Sequence, residues 1–218
     1  MQETSKHKLI VVGAGGHGRE MIWLARECAG QWSVAGFLDD SEHAQGKDVS
    51  GVPIIGRIDD WKRFEDAWFI VAIGSPRVRQ AVIHRMEALG QPRYATLVHP
   101  GVLQSSHVSI GEGTMIAAGC ILTTQINVGR HVVLNLACTV SHDAVLEDFC
   151  TVAPGVTIPG NVRLETGSEV GVGCSLRQGL RIGRGALAGM GAVVTKDVAA
   201  RDVVVGCPAR PVRQLDAF

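Results

Sequence analysis

The chain has 218 residues, enough for one large or two modest domains, and its 21 lysines and arginines balance 21 aspartates and glutamates. This neutrality leaves no basic footprint for nucleic acid and no acidic tail. No stretch approaches about 18 consecutive apolar residues, which excludes an obvious membrane span, and the opening MQETSKHK lacks the apolar core of a signal peptide, so a cytoplasmic location is expected.

From the N-terminus, KLIVVGAGGHG at 8–18 reads as a buried strand running into a glycine-rich turn and then a helix. Met21, Leu24, Ala25 and Cys28 supply the apolar face of that helix at i, i+3, i+4 and i+7. Extended segments follow at 33–40 and 52–56, then a short helix at 58–64. WFIVAIG at 68–74 is an unalternated apolar run of the kind buried on both sides in a parallel sheet. Val78, Val82, Met86 and Leu89 mark a second helix, and 94–100 is extended. The order is β-α-β-β-α-β-α-β, a Rossmann-like α/β domain expected over residues 1–100.

Gly13, Gly15 and Gly18 satisfy G-x-G-x-x-G in a strand-to-helix context, with Asp39 and Asp40 ending the second strand. Glycines there let the backbone approach a pyrophosphate, whose charge is favourable at a helix N-terminus. The motif alone suggests NAD. A small domain with no second nucleotide-binding half and no dehydrogenase domain after it suits a nucleotide sugar better.

Residues 101–218 follow another rule. Ile, Leu or Val stands at every sixth position from Ile110 to Val194, fourteen of fifteen places, with Ala188 the exception. Four residues after each comes a second apolar or small side chain, from Thr114 and Cys120 through to Ala192, and both slots are expected to face inward. The slot three after the aliphatic is Gly eight times, as expected for a corner at positive φ; Asp143 and Asn161 fall in it too. A short period of this kind means stacked units sharing one core: short strands and tight corners wound as a prism of parallel sheets. Four of the six cysteines (Cys120, Cys138, Cys150 and Cys174) sit in the second inward slot and read as core filling, with no C-x-x-C pair to suggest metal. Cys28 and Cys207 have no evident partner.

His142 stands two after Val140, in a slot whose other occupants include Glu112, Thr124, Arg130, Asp148, Gln178, Arg184 and Lys196, so it is expected to face outward. An exposed imidazole can take a proton from an attacking amine or hydroxyl, and adjacent Asp143 can orient it. The other histidines rank lower: His7, His43 and His84 as surface residues, His99 at the domain junction, His107 and His131 at prism corners. His131 and His142 lie in different registers, which argues against a zinc site.

The glycine loop G-A-G-G-H-G, the hexapeptide prism with NLACTVSHDAVLEDF at 135–149, and the closing VGCPAR at 205–210 together resemble the sugar O-acyltransferase family. This family includes sugar-nucleotide N-acetyltransferases of the PglD type and sialic acid O-acetyltransferases of the NeuD type. The resemblance implies a left-handed parallel β-helix of hexapeptide repeats after the Rossmann-like domain. It also implies acetyl-CoA as co-substrate, no metal, a nucleotide-linked 4-amino-4,6-dideoxy sugar as acceptor, and a homotrimer with the coenzyme between neighbouring prisms. By position it makes His142 the catalytic base with Asp143 beside it, and puts Asn135 and Gly160 near the thioester. Gly171, Gly189 and Met190 match the coenzyme groove; Gly15, Gly16, His17, Asp39 and Asp40 match the nucleotide-sugar loop. Thr151 departs from the pattern, since several relatives have histidine there. Three functions remain open at this level: N-acetylation of a nucleotide-linked amino sugar by direct attack on the thioester, O-acetylation of a sugar hydroxyl, and a non-enzymatic nucleotide-sugar scaffold.

Overall fold

A computed structural model describes residues 6–28 and 30–218. The chain divides into two units, Met1–Pro100 and Gly101–Phe218.

In the first unit, the apolar run Leu9–Val12 forms most of β1 (His7–Val12) and is wholly shielded from solvent. β1 pairs in parallel with β2 (Trp32–Leu38) on one side and β5 (Trp68–Val71) on the other. Beyond β2 lie β4 (Val52–Gly56) and β3 (Asp48–Val49), and beyond β5 lies β6 (Arg93–Tyr94), giving the order β3-β4-β2-β1-β5-β6. Among the described residues of this sheet, only the β3–β4 pairing is antiparallel. Helix α1 (Gly16–Glu27) links β1 to β2, the segment Ile58–Phe64 is a 3-10 helix, and α2 (Pro76–Leu89) follows β5. Because the chain leaves β1 toward β2 but returns to β1's other flank as β5, the carboxyl end of β1 is a topological switch point, where open α/β sheets bind ligands. Cys28, with no evident partner in sequence, ends α1 and donates its thiol to the Val98 carbonyl at 3.3 Å.

The second unit is a parallel β-helix with an eighteen-residue coil. Met115 opposes Val133, then Thr151, Glu169 and Leu187. Ile121 opposes Thr139, Thr157, Ser175 and Val193 on a second sheet, and Asn127 opposes Val145, Arg163 and Arg181 on a third. Three hexads therefore make one turn. From Ile116 onward every aliphatic position is at most 8% exposed, and the second inward slot, Thr114 to Ala192, at most 3%. The two hydroxyls among these stay satisfied: Thr114 donates to the Gly129 carbonyl at 2.8 Å, and Ser168 lies 3.4 Å from the Cys150 thiol. The inward cysteines fill space as expected and also donate outward to backbone, Cys120 to the Asn135 carbonyl at 3.0 Å and Cys138 to that of Ala153 at 3.2 Å.

Every sixth residue from 113 to 191 has positive φ. Glycine fills eight of these corners; Gln125, His131, Ala137, Asp143, Phe149 and Asn161 fill the rest at φ between 55 and 63°. The left-handed corner is thus a demand of the coil that side chains other than glycine meet at some cost in strain. His131 is at its expected corner but is 1% exposed, its ring stacked on Phe149 at 5.4 Å and 13°. A final strand, Asp202–Val205, continues the first sheet and is closed by the antiparallel Arg210–Gln214.

Candidate active site

The glycine turn is built to expose backbone. Gly13 has φ +99°, and a Cβ on it would lie 3.1 Å from the Ala72 carbonyl oxygen. A Cβ on Gly18 would collide with the Gly13 carbonyl and lie 3.1 Å from the Phe37 ring, so this glycine lets α1 pack against the sheet. Gly15 and Gly16 differ: among the described residues no atom lies within 4 Å of a Cβ on Gly15, and only Arg19 Nη2, at 3.9 Å, near one on Gly16. α1 has no side-chain cap and no acidic residue in its first turn, so its leading N–H groups and positive dipole end suit an anion.

Asp39 ties this turn to the end of β2: Oδ2 accepts the Ala14 N–H at 2.7 Å and Oδ1 the Ser41 N–H at 2.8 Å. Asp40 faces elsewhere, accepting the Ile58 N–H at 3.1 Å and Arg85 Nη1 at 2.6 Å. Burial pushes its carboxyl up, but the bonds from Arg85 and Ile58 outweigh that and hold it below its ordinary value. Both carboxylates therefore already have protein partners. His17 contacts Glu20 through Nδ1 at 3.0 Å, and its Nε2 is buried without a partner among the described residues.

In the prism the sequence-derived residues fall on two ladders. Asn135, Ala153, Gly171 and Gly189 each donate their N–H to the same place on the next coil, at 2.8–3.0 Å, and so stack on one corner. His142, with Gly160 one coil above, stands at the next corner; the sheet of Thr139 and Thr157 lies between. The structure thus sets Asn135 and His142 on opposite edges of one face, with no hydrogen bond between them. Asn135 Oδ1 instead accepts the Leu136 N–H at 2.8 Å.

His142 has a half-exposed side chain, and its Nδ1 lies 2.8 Å from Asp143 Oδ2. With Asp143 ionised, that contact puts the proton on Nδ1 and leaves the Nε2 lone pair free to accept one. Asp143 is also a corner residue at φ +59°. The imidazole lies over Gly160: a Cβ there would stand 2.5 Å from Cε1 and 2.6 Å from Nε2. Thr151 is 8% exposed within the first sheet.

Two features of the site are not evident in the sequence. Leu136, Val172 and Met190, 39, 53 and 81% exposed, form an apolar line beside the Asn135–Gly171–Gly189 ladder. Family resemblance marks Met190 alone; sorting by six mixes three corners into one slot, whereas sorting by eighteen separates Leu136, Val172 and Met190 from the polar remainder. The second feature is the turn Ile73–Ser75, which packs against the glycine turn: Ile73 Cγ1 would lie 3.4 Å from a Cβ on Gly13.

An α/β unit with an anion-ready glycine turn, joined to a hexapeptide β-helix carrying an outward histidine–carboxylate pair, defines the class of hexapeptide-repeat acyltransferases with an N-terminal nucleotide-binding domain. Residues 8–86 match the PglD N-terminal domain. GDP-perosamine N-acetyltransferase of Escherichia coli O157:H7 is 33% identical over 207 residues, 90% of this chain and 81% of that protein. The acetyltransferase domain of PglB from Neisseria gonorrhoeae, solved with acetyl coenzyme A, superposes with a TM-score of 0.87 at 34% identity, covering 95% of this chain and 100% of that one. PerB from Caulobacter crescentus, solved with CoA and GDP-perosamine, gives a TM-score of 0.86 at 26% identity over 96% and 99%. The chain belongs to the PglD/NeuD-type sugar acyltransferase family. It is an enzyme, and its prism is the left-handed β-helix of that family.

Proposed function

We propose that the chain is an acetyl-CoA-dependent N-acetyltransferase acting on the amino group of a nucleotide-linked amino sugar. The observation that carries this is the His142–Asp143 pair: a half-exposed imidazole whose Nδ1 is held at 2.8 Å by a carboxylate, with Nε2 unpartnered among the described residues. In this reading the 1–100 domain holds the nucleotide sugar at Gly15, Gly16 and His17, with Asp39 fixing the glycine turn and Asp40 fixing the segment behind it. The 101–218 domain takes acetyl-CoA along the Asn135–Gly171–Gly189 corner, where the apolar line ending at Met190 suits the pantetheine arm. The acceptor amine attacks the thioester directly, and His142 Nε2 takes its proton as the tetrahedral intermediate forms. Coenzyme A leaves as the thiol, and no acyl-enzyme forms. The names of the relatives support an amino-sugar nucleotide as acceptor, a GDP-linked one in two of them. We infer a homotrimer, because an exposed apolar corner beside the site suits cover from a neighbouring prism.

Thiol release from acetyl-CoA over a panel of GDP- and UDP-linked sugars, each as its amino and its hydroxyl form, tests the reading. Release is expected with an amino form only, and His142→Ala should lower kcat by about two to four orders of magnitude. Release with hydroxyl forms alone would make the enzyme an O-acetyltransferase. A near-normal rate in the variant would remove His142 as the base.

A further inference from the structure

The turn Ile73–Ser75, beside the glycine turn that the proposed function gives to the nucleotide, is held from beneath by a charged side chain with no exposure to solvent. Arg79, in α2, is 0% exposed. A guanidinium keeps its charge under all ordinary conditions, so burying it is costly unless acceptors meet its N–H groups. Here they do: Nη1 donates to the Ile73 carbonyl at 2.6 Å and to the Gly74 carbonyl at 2.9 Å, while the Arg79 backbone N–H caps back onto the Ser75 carbonyl at 2.9 Å. One residue thus ties three successive carbonyls of the turn toward the protein. The turn's other side meets Gly13 closely, as the 3.1 and 3.4 Å approaches of Ala72 and Ile73 to its Cβ position show, whereas among the described residues no atom lies within 4 Å of a Cβ on Gly74.

We propose that Arg79 is a positioning residue for the nucleotide end of the substrate. By pinning the carbonyls of Ile73 and Gly74 inward, it keeps the turn at a fixed distance from Gly13 and holds the open side of Gly74 toward the ligand. It touches no reacting atom. A fixed turn matters because binding groups displaced by about 1 Å can cost on the order of 100-fold. The choice of substrate rests on the N-acetyltransferase reading above; the clamp itself does not.

The test uses the full chain with Arg79→Met, which removes every side-chain donor and leaves the backbone bond to Ser75, and Arg79→Lys, which keeps the charge but not the planar fork. Without ligand, amide hydrogen exchange at Gly74 and Ser75 should quicken in both variants, more in Arg79→Met. With the nucleotide sugar that wild type turns over, KM for the sugar should rise by about 10- to 100-fold in Arg79→Met and less in Arg79→Lys. KM for acetyl-CoA and kcat should hold within about twofold. Unchanged exchange at the turn, a parallel rise in both KM values, or failure of both variants to fold would overturn the proposal, the last by making Arg79 a core residue. If wild type turns over no nucleotide sugar, the functional reading fails while the exchange measurement still decides on the clamp.

Discussion

Gly160 lies directly above His142 by one coil, and what the site requires of it is the absence of a side chain. Its φ is outside the left-handed region, so the backbone would accept alanine, yet the new methyl would stand 2.5 Å from the imidazole. Gly160→Ala is therefore expected to tilt the ring off Asp143 and lower kcat by about 10- to 100-fold. The thermal midpoint should move little, because the ring is on the surface. Steady-state kinetics beside a melting curve checks both, and full activity would show that the ring does not need its present seat. His142 was legible in the sequence because it faces outward without a packing reason. Its relation to Gly160 was not, because eighteen residues separate them and only the coil period makes them neighbours. Asp143 shows the converse: its slot announced a positive φ, and the structure adds that the same residue holds the imidazole, so backbone strain and ring orientation are met at one position.

At the scale of elements, each inward ladder is a column of aliphatic side chains from successive coils. Leu164 sits between Leu146 and Ile182 with no exposure, so its truncation leaves a cavity bounded above and below by coils that cannot collapse into it. Leu164→Ala should cost about 2–5 kcal/mol, read as a lowered urea midpoint. Contacts in a solenoid reach only adjacent coils, so faster amide exchange should centre on the neighbouring strands and fade beyond them. The outer surface of the third sheet repeats another device. Glu147 accepts from Thr166 and pairs with Arg163; one coil on, Glu165 accepts from the Arg184 N–H at 2.9 Å and pairs with Arg181 at 3.1 Å. The six-residue period made the strands, corners and core legible. It hid the difference between the three corners, because residues six apart share a slot without sharing a face, and so Leu136 and Val172 went unnoticed beside Met190.

Across the whole molecule, both units carry carboxylates held below their ordinary values. Burial pushes Asp40 and Glu147 up, but hydrogen bonds outweigh it, from Arg85 and Ile58 to the first and from Thr166 and Arg163 to the second. A depressed carboxyl stabilises the fold above its unfolded value, and the contribution is lost as pH falls through the folded one. Urea unfolding should thus show stability falling from about pH 5 toward about pH 3. The Arg85→Met, Arg163→Met double variant should start about 1 kcal/mol less stable at neutral pH and lose less on acidification, since these pairs are largely solvated. An acid profile parallel to wild type would leave the two pairs without a role in it.

What the sequence determined by itself was local and periodic: a strand-turn-helix with glycines where backbone must be bare, a repeat that can bury its aliphatic positions only by stacking, and a histidine that packing does not need. Those follow from short-range sterics and from hydrophobic burial, which a linear pattern records. The tertiary structure decided which distant residues meet. It set Gly160 against the His142 ring and stacked Asn135 with Gly171 and Gly189. It gave Asp39 and Asp40 to separate backbone partners and buried His131 on Phe149. It also hid Arg79 beneath a turn whose Ile73 and Gly74 the sequence places in the apolar run 68–74, although the strand ends at Val71. Such contacts depend on the eighteen-residue pitch of the coil and on the side of β1 to which the chain returns, quantities carried by the packed whole and by no single stretch of it.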